Sequence, residues 1–165
     1  MTSPLEQRLG AVEARIAIGD LVNRYFQRLD QGDFAGVAQL FAPEAVFAYP
    51  GGSVEGRHGL ERFFAAQLEK YDAWWHYGHG HVVELVDGRA AIGSLDAHAE
   101  HVEGDTCVVA GIRYDDRYVC QEGRWLLGER ALQLRYFLPW DKFAGRYRHN
   151  PAFPPPPGSA DGGPP

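Results

Sequence analysis

The chain has 165 residues, of which 45% are hydrophobic and 23% are charged, and this size and composition fit one globular domain with a single core. The formal net charge of -6 and the pI near 5.6 argue against a nucleic-acid partner, because phosphate contacts need clustered Lys and Arg. No apolar run is long enough for a membrane span or a signal peptide. We therefore expect a cytoplasmic protein with no membrane partner.

The N-terminal third of the chain is predicted to be helical. Apolar residues recur with a helical period from Leu5 to Leu29, and Gly32 supplies a stop. Asp33 is a suitable N-cap for a second helix over residues 34–42, which Pro43 would end.

Strands dominate the rest of the chain. A short first strand is predicted over 44–50 and a third helix from about His58. Four long strands separated by tight turns then predict an antiparallel meander, over residues 74–86, 89–102, 106–120 and 124–138. Helices followed by a meander indicate an α+β fold with an apolar pocket between the two layers.

The domain is predicted to occupy residues 1–140. The remainder, 141–165, is a Pro- and Gly-rich extension, which we expect to be partly disordered because it cannot bury a core. Cys107 and Cys120 lie on neighbouring predicted strands, so a disulfide is geometrically possible. Two buried free thiols are the favoured interpretation, since a cytosolic domain of this size needs no covalent link.

An acid on the apolar face of the first helix is the strongest functional signal. Ile18, Val22, Phe26 and Asp30 recur every fourth position and share one face. A carboxylate there loses solvation and lies at the negative end of the helix dipole. Asp30 therefore needs a cationic or hydrogen-bonding partner, unless it is simply solvated at the helix end.

His76 is the best candidate for that partner. It lies in the first strand of the meander, where a sheet curling over the helix can bring its ring to the helix end. A carboxylate on one ring nitrogen fixes the tautomer and leaves the other nitrogen as a general base. Tyr25, five positions before Asp30, can offer a phenol to the same pocket. The alternative for Tyr25 is an ordinary core aromatic.

A metal site is disfavoured. His76, His79 and His81 form an H-x-x-H-x-H run, but strand alternation puts His76 on the other face and no Asp, Glu or Cys has matching spacing. In the second meander strand, Leu95 and His101 belong to the apolar set that should face the pocket. There is no nucleophile elbow, no phosphate-binding loop and no dinucleotide fingerprint.

Three stretches carry a resemblance to a known family. Residues 13–34, 75–84 and 123–135, within an overall match over about 5–140, resemble the SnoaL-like branch of the nuclear transport factor 2-like superfamily. The resemblance implies a cone-shaped, curved antiparallel sheet covered by three N-terminal helices around a deep apolar cavity.

Within that branch the chain is similar to bile acid 7-alpha-dehydratase and hexachlorocyclohexane dehydrochlorinase. Those enzymes imply a catalytic Asp and His at Asp30 and His76, and the dehydratase implies a tyrosine at Tyr25. The last-strand arginine of these relatives has no match here, because its register falls on Leu132 or Leu134. Arg130 keeps the inward alternation and could replace that arginine, whereas Arg135 should point outward.

The residues expected to bind the substrate are Phe26, Tyr49, Leu95, His101, Arg130, Leu132 and Leu134.

The resemblance and the residues together predict a cofactor-independent lyase of the dehydratase type. The expected substrate is a hydrophobic molecule of polycyclic, terpenoid or polyketide character. An isomerase or cyclase using the same base, or a module that binds a hydrophobic ligand without chemistry, is the alternative. Epoxide hydrolysis lacks the Asp-Arg-Asp set it would need. An aromatic-rich outer sheet face further predicts a homodimer or homotrimer.

Overall fold

The computed structural model describes residues 3–143, so the predicted extension lies outside the described residues apart from 141–143. The chain begins with α1 (Pro4–Asp30), whose first turn is closed by a capping box. The Ser3 hydroxyl accepts a hydrogen bond from the Glu6 N–H, and the Glu6 carboxylate accepts one from the Ser3 N–H. The helix end is therefore formed without help from the rest of the domain.

Two shorter helices and six strands follow. Helix α2 spans Phe34–Ala38 and α3 spans Gly56–Leu68, and a single 3₁₀ turn covers Trp140–Lys142. None of the helices in the described part of the chain is long and apolar enough to cross a membrane. The strands are β1 (Phe41–Tyr49), β2 (Gly52–Glu55), β3 (Ala73–Leu85), β4 (Ala90–Glu103), β5 (Thr106–Gln121) and β6 (Arg124–Pro139).

The strands form one curved, unclosed sheet in the order β2-β1-β6-β5-β4-β3. The predicted α+β architecture and the four-strand meander β3 to β6 are confirmed. The sheet is not antiparallel throughout, because β1 pairs with β6 in parallel. No hairpin joins these two strands, so nothing local forces them to run in opposite directions.

The second helix is shorter than predicted. It ends at Ala38, and the residues assigned to its last turn begin β1 instead. Phe41 is fully buried and pairs with Leu127 of β6, while the Leu127 N–H donates to the Leu40 carbonyl at 3.0 Å. Tertiary pairing therefore overrides the helical pattern at this point. Strand β2, which was not predicted, pairs with the end of β1.

The core lies between the helices and the inner face of the sheet. On β4 the inward set is Leu95, Ala97, Ala99 and His101, all of them buried, so the predicted alternation is correct. Of these four side chains, His101 lines a cavity between the helices and the sheet.

Helix α1 carries two apolar stripes rather than one. In its C-terminal half, Ile18, Val22 and Phe26 are buried against the sheet. In its N-terminal half the periodic residues lie on a different face, about 110° around the helix, and are exposed, at 72% for Leu5, 55% for Leu9, 53% for Val12 and 60% for Ile16. The helical period was predicted correctly, but these four residues do not belong to the core.

Candidate functional site

Asp30 and His76 are in direct contact. The Asp30 Oδ1 and His76 Nδ1 atoms lie 2.9 Å apart, and the side chains are 20% and 6% exposed. Asp30 is the last residue of α1, and His76 lies in β3. The Trp74 Nε1–H donates to the Leu29 carbonyl at 2.8 Å, so the end of the helix is fastened to the same strand.

This contact sets the hydrogen-bonding state of the imidazole. A carboxylate can only accept, so His76 Nδ1 carries the hydrogen, and in the neutral ring Nε2 is the basic nitrogen. When Nε2 takes up a proton, Asp30 stabilises the resulting imidazolium. The pair therefore has the arrangement of a general base held by an orienting acid.

The His76 ring contacts two other rings, those of Phe26 and His101. The Phe26 ring is stacked on it at a centroid distance of 6.3 Å, and the His101 ring meets it edge-on at 5.5 Å. Phe26 can lie close to β3 because residue 78 is glycine: a Cβ there would approach the Phe26 ring to 2.7 Å.

His76 lines a cavity of about 350 Å³ between the helices and the sheet. Most of its wall is aromatic or aliphatic, contributed by α1, α3, β1 and the inner sheet face. The polar groups on the wall are Tyr25, Tyr49, Gln67, Lys70, Tyr71, His76, His101 and Tyr114. Gln67, Lys70, Leu134 and Phe137 are exposed and form the mouth.

The structure brings most of the predicted residues together. Those on the cavity wall are Tyr25, Tyr49, His76, His101, Leu132 and Leu134, while Asp30 lies behind His76. Phe26 and Leu95 line a separate groove on the other side of His76 and are absent from the cavity wall. Arg130 is also absent from that wall. The roles of all these residues remain predictions.

Arg130 is buried in an ion pair. Its Nε and Nη2 donate to the two carboxylate oxygens of Asp116 at 2.8 and 2.7 Å, and both side chains are fully buried. The guanidinium also lies over the rings of Tyr25, at 4.2 Å, and Tyr114, at 4.5 Å. Although burial disfavours its charge, Asp116 raises the pKa of Arg130. A neutralised cation screened by two rings is poorly placed to bind a substrate carboxylate.

The inward face of β5 was missed by the sequence analysis. Tyr114, Asp116 and Tyr118 alternate on that face and are buried. Tyr118 donates to Asp116 at 2.6 Å and lies 3.0 Å from His81 Nε2. The sequence signal for this buried pair is an Asp at an inward position of β5, Asp116, and an Arg at an inward position of β6, Arg130. The two can be recognised as partners only once the register between the strands is known.

Tyr25 is a buried phenol. Burial raises its pKa, and the charge of Arg130 opposes that rise only in part. Tyr25 is therefore a neutral hydrogen-bond donor at physiological pH, able to hydrogen-bond to an oxygen that develops negative charge.

His101 is a neutral imidazole on the cavity wall. It is 7% exposed, and within residues 3–143 neither of its ring nitrogens has a hydrogen-bond partner. Its ring is stacked on Tyr71 at 4.6 Å and is almost parallel to it. Burial, together with the charges of His76 and Lys70, lowers the pKa of His101 to about 4. Unpartnered buried polar atoms are costly, so a ligand atom is a natural partner for this ring.

The described residues provide no metal site, since no group of three or more His, Cys, Asp or Glu side chains among them could hold an ion. His81 is engaged with Tyr118 and His79 is exposed. Cys107 and Cys120 are free thiols, as favoured from the sequence, but both are half-buried and not fully buried.

A family model for the SnoaL-like domain matches residues 10–131. No curated protein matches the sequence significantly. Among solved structures, a hexachlorocyclohexane dehydrochlorinase from Novosphingobium barchaimii is 22% identical with a TM-score of 0.74, and the alignment covers 80% of this chain and 93% of that one.

Two further structures are similar. A scytalone dehydratase-like protein from Novosphingobium aromaticivorans is 18% identical, with a TM-score of 0.73 and coverage of 78% and 88%. ActVI-ORFA from Streptomyces coelicolor is 18% identical, with a TM-score of 0.66 and coverage of 74% and 98%. At these identities the likeness establishes the fold alone.

The burial of His101 predicts a pH-dependent stability. The unfolded chain binds a proton at this histidine below its ordinary pKa of 6.5, whereas the folded protein binds it only below about 4. The contribution of His101 to the free energy of unfolding is therefore fully present above pH 6.5 and is lost as the pH falls from 6.5 to 4. This loss in the free energy of unfolding amounts to about 3 kcal/mol at most. Urea unfolding of wild type and His101→Phe at pH 7 and pH 4.5 should show a smaller acid loss in the variant.

His58 is exposed, so His58→Phe is the matched control and should lose as much stability in acid as wild type. Equal losses in wild type and His101→Phe would contradict the prediction.

Because Asp116 is in the buried ion pair and its neighbour Asp115 is not, we predict that their replacement by alanine lowers the free energy of unfolding by very different amounts. Asp116→Ala leaves the Arg130 charge buried and unpaired, and should lower the free energy of unfolding by about 3–5 kcal/mol. Asp115→Ala removes exposed contacts with Arg113 and Gln133 and should cost at most about 1 kcal/mol. Urea denaturation measures both.

If Asp116→Ala fails to fold, the double variant Asp116→Leu with Arg130→Met replaces the pair by apolar side chains and should fold again. A loss in Asp116→Ala no larger than that in Asp115→Ala would show that the pair is unimportant.

Proposed function

The chain belongs to the SnoaL-like domain family, and we propose that it is a cofactor-independent lyase in which His76 removes a proton from a hydrophobic small molecule. The observation that carries the proposal is the 2.9 Å contact between Asp30 and His76 on the wall of an apolar cavity. A base in such a place needs no metal or organic cofactor to break a C–H bond beside an activating group.

The reaction would be an elimination. His76 Nε2 takes the proton from carbon, the C–H electron pair forms the double bond, and the bond to the leaving group on the adjacent carbon breaks. A departing hydroxyl takes the same proton back from the His76 imidazolium and leaves as water, whereas a departing halide leaves as the anion and His76 gives its proton to solvent. Asp30 stabilises the imidazolium, and Tyr25 hydrogen-bonds to the developing oxyanion or the departing oxygen.

The cavity favours a compact hydrophobic substrate. Its volume of about 350 Å³ is near the lower end of the range for small-molecule sites, about 300–1,000 Å³. Its aromatic wall suits a fused-ring, terpenoid or polyketide-like skeleton of a few rings. His101, with both nitrogens unpartnered, supplies one place on the wall where a hydroxyl or carbonyl of the substrate would be held.

The relatives support elimination as the outcome, since a dehydrochlorinase and a scytalone dehydratase-like protein share the fold. The same proton abstraction could lead to isomerisation or cyclisation. Product analysis separates these, because only elimination releases water or halide. Chloride release from hexachlorocyclohexane is a direct test of whether this chain shares the substrate that its relative's name gives.

Proton abstraction by His76 can be tested without the native substrate. The probe 5-nitrobenzisoxazole is a small flat bicycle that opens to a coloured cyanonitrophenolate when a base removes its ring C–H proton. We expect wild type to accelerate this opening over buffer, and His76→Ala to lose about a hundred- to ten-thousandfold of that acceleration. Asp30→Asn keeps a side chain of the same shape without the charge and should lose at least about tenfold.

His58→Ala removes an exposed histidine that does not line the cavity and should retain the wild-type rate. Full activity in both His76→Ala and Asp30→Asn would exclude the proposed base. Should wild type gain thermal stability from the probe yet leave it intact, the chain would be a binding protein.

A further inference from the structure

We propose that the exposed apolar stripe on the N-terminal half of α1, formed by Leu5, Leu9, Val12 and Ile16, is the interface on which a second copy of this chain docks in a parallel two-helix pair. This interface is independent of the catalytic proposal. It lies about 110° around α1 from the buried stripe of Ile18, Val22 and Phe26, and the chain's own sheet leaves it exposed.

The spacing of the stripe is that of a coiled coil. The four residues follow one another at intervals of four, three and four, which places Leu9 and Ile16 at heptad position a and Leu5 and Val12 at position d. They extend over about 16 Å of helix, and all are more than half exposed. Four large apolar side chains in one exposed row are unusual for an unpartnered surface.

The charges beside the stripe select its partner. Along one flank, at heptad position e, lie the acids Glu6, Glu13 and Asp20, and along the other flank, at position g, lie Arg8 and Arg15. In a parallel pair each g residue faces the e residue five positions later in the partner helix. Arg8 then meets Glu13 of the second copy and Arg15 meets Asp20, so every such contact joins opposite charges.

An antiparallel pair is disfavoured by the same charges. There the g flanks face each other and the e flanks face each other, so arginine would meet arginine and acid would meet acid. Asp20 also lies 3.7 Å from Arg24 within its own helix, and in the parallel pair it would be shared between the two arginines. The surface is therefore complementary to itself in one orientation only.

The helix is already formed where the partner would dock. The capping box at Ser3 and Glu6 closes its first turn, and its C-terminal half is held in the core. Docking therefore costs little ordering of the backbone. Beyond Ile16 the next two stripe positions are Gly19 and Asn23, so the apolar contact is confined to two heptads. Because so short a pair buries less area than a standard stable interface, we expect dissociation at about micromolar concentration.

Sedimentation equilibrium of the full chain over a range of concentrations tests the proposal. Wild type should show a monomer–dimer equilibrium. Leu9→Gln with Ile16→Gln keeps good helix formers on the helix and should raise the dissociation constant at least a hundredfold. Trp75→Gln with Tyr77→Gln, at residues 53% and 48% exposed on the outer sheet face, tests the rival interface that this aromatic face predicts and should leave the dimer intact. Val86→Gln, at a residue 63% exposed directly after β3, is the matched control and should also leave it intact.

Charge reversal tests the orientation. Arg8→Glu alone and Glu13→Arg alone each turn two symmetric attractions into repulsions and should weaken the dimer roughly tenfold. The double variant reverses both partners and should restore the wild-type constant. In an antiparallel pair each single reversal would instead strengthen association.

Cross-linking locates the contact. With Cys107 and Cys120 replaced by serine, Val12→Cys should form a disulfide-linked dimer, because equivalent d positions face each other across a parallel pair. Glu61→Cys, exposed on α3, should not.

A wild-type chain that stays monomeric at high concentration overturns the proposal, as does a dimer lost in the outer-sheet variant but kept in the stripe variant. If the double variant Arg8→Glu with Glu13→Arg does not restore the wild-type dissociation constant, the parallel orientation is wrong.

Discussion

The C-terminal half of α1 is attached to the inner face of the sheet, and this attachment determines where the residues of the site lie. Three different contacts make it: the stack of Phe26 on His76, the Trp74 bond to the Leu29 carbonyl, and the Arg130 guanidinium over the Tyr25 ring. Each ties a different residue of the last two helical turns to a different point on the sheet. The position of Asp30 follows from them, and so does its distance to His76.

The contact between Asp30 and His76 could be predicted from the sequence, but the buried Asp116–Arg130 ion pair could not. Asp30 stood out because an acid on an apolar helical face needs a partner, and the alternation of β4 correctly placed His101 inward. Both are local patterns. The Asp116–Arg130 pair is non-local: each residue looks like one more charge on an alternating strand until the β5–β6 register puts them opposite each other. Arg130 was predicted to point inward, but nothing local revealed that Asp116 would neutralise it.

The errors in the predicted secondary structure and sheet topology also arise from non-local strand pairing. Residues 39–42 have helical composition, yet Phe41 joins β1 because β6 offers it a partner and the core offers it burial. The parallel pairing of β1 with β6 is likewise a property of the whole sheet. In α1, by contrast, the periodicity was right and its interpretation incomplete, because a helical repeat shows that a face is apolar without showing what covers it.

The distribution of charge around the cavity limits the chemistry it can support. Among the described residues on the cavity wall, Lys70 is the only Lys or Arg, and it lies at the exposed mouth over the Tyr71 ring at 5.1 Å. Deeper in, the wall offers phenols and imidazoles. An anionic substituent of a substrate would therefore be held at the mouth, in water, where an ion pair contributes little. The deep end can move a proton and donate hydrogen bonds to a neutral oxygen, so substrate affinity must come chiefly from burying apolar surface.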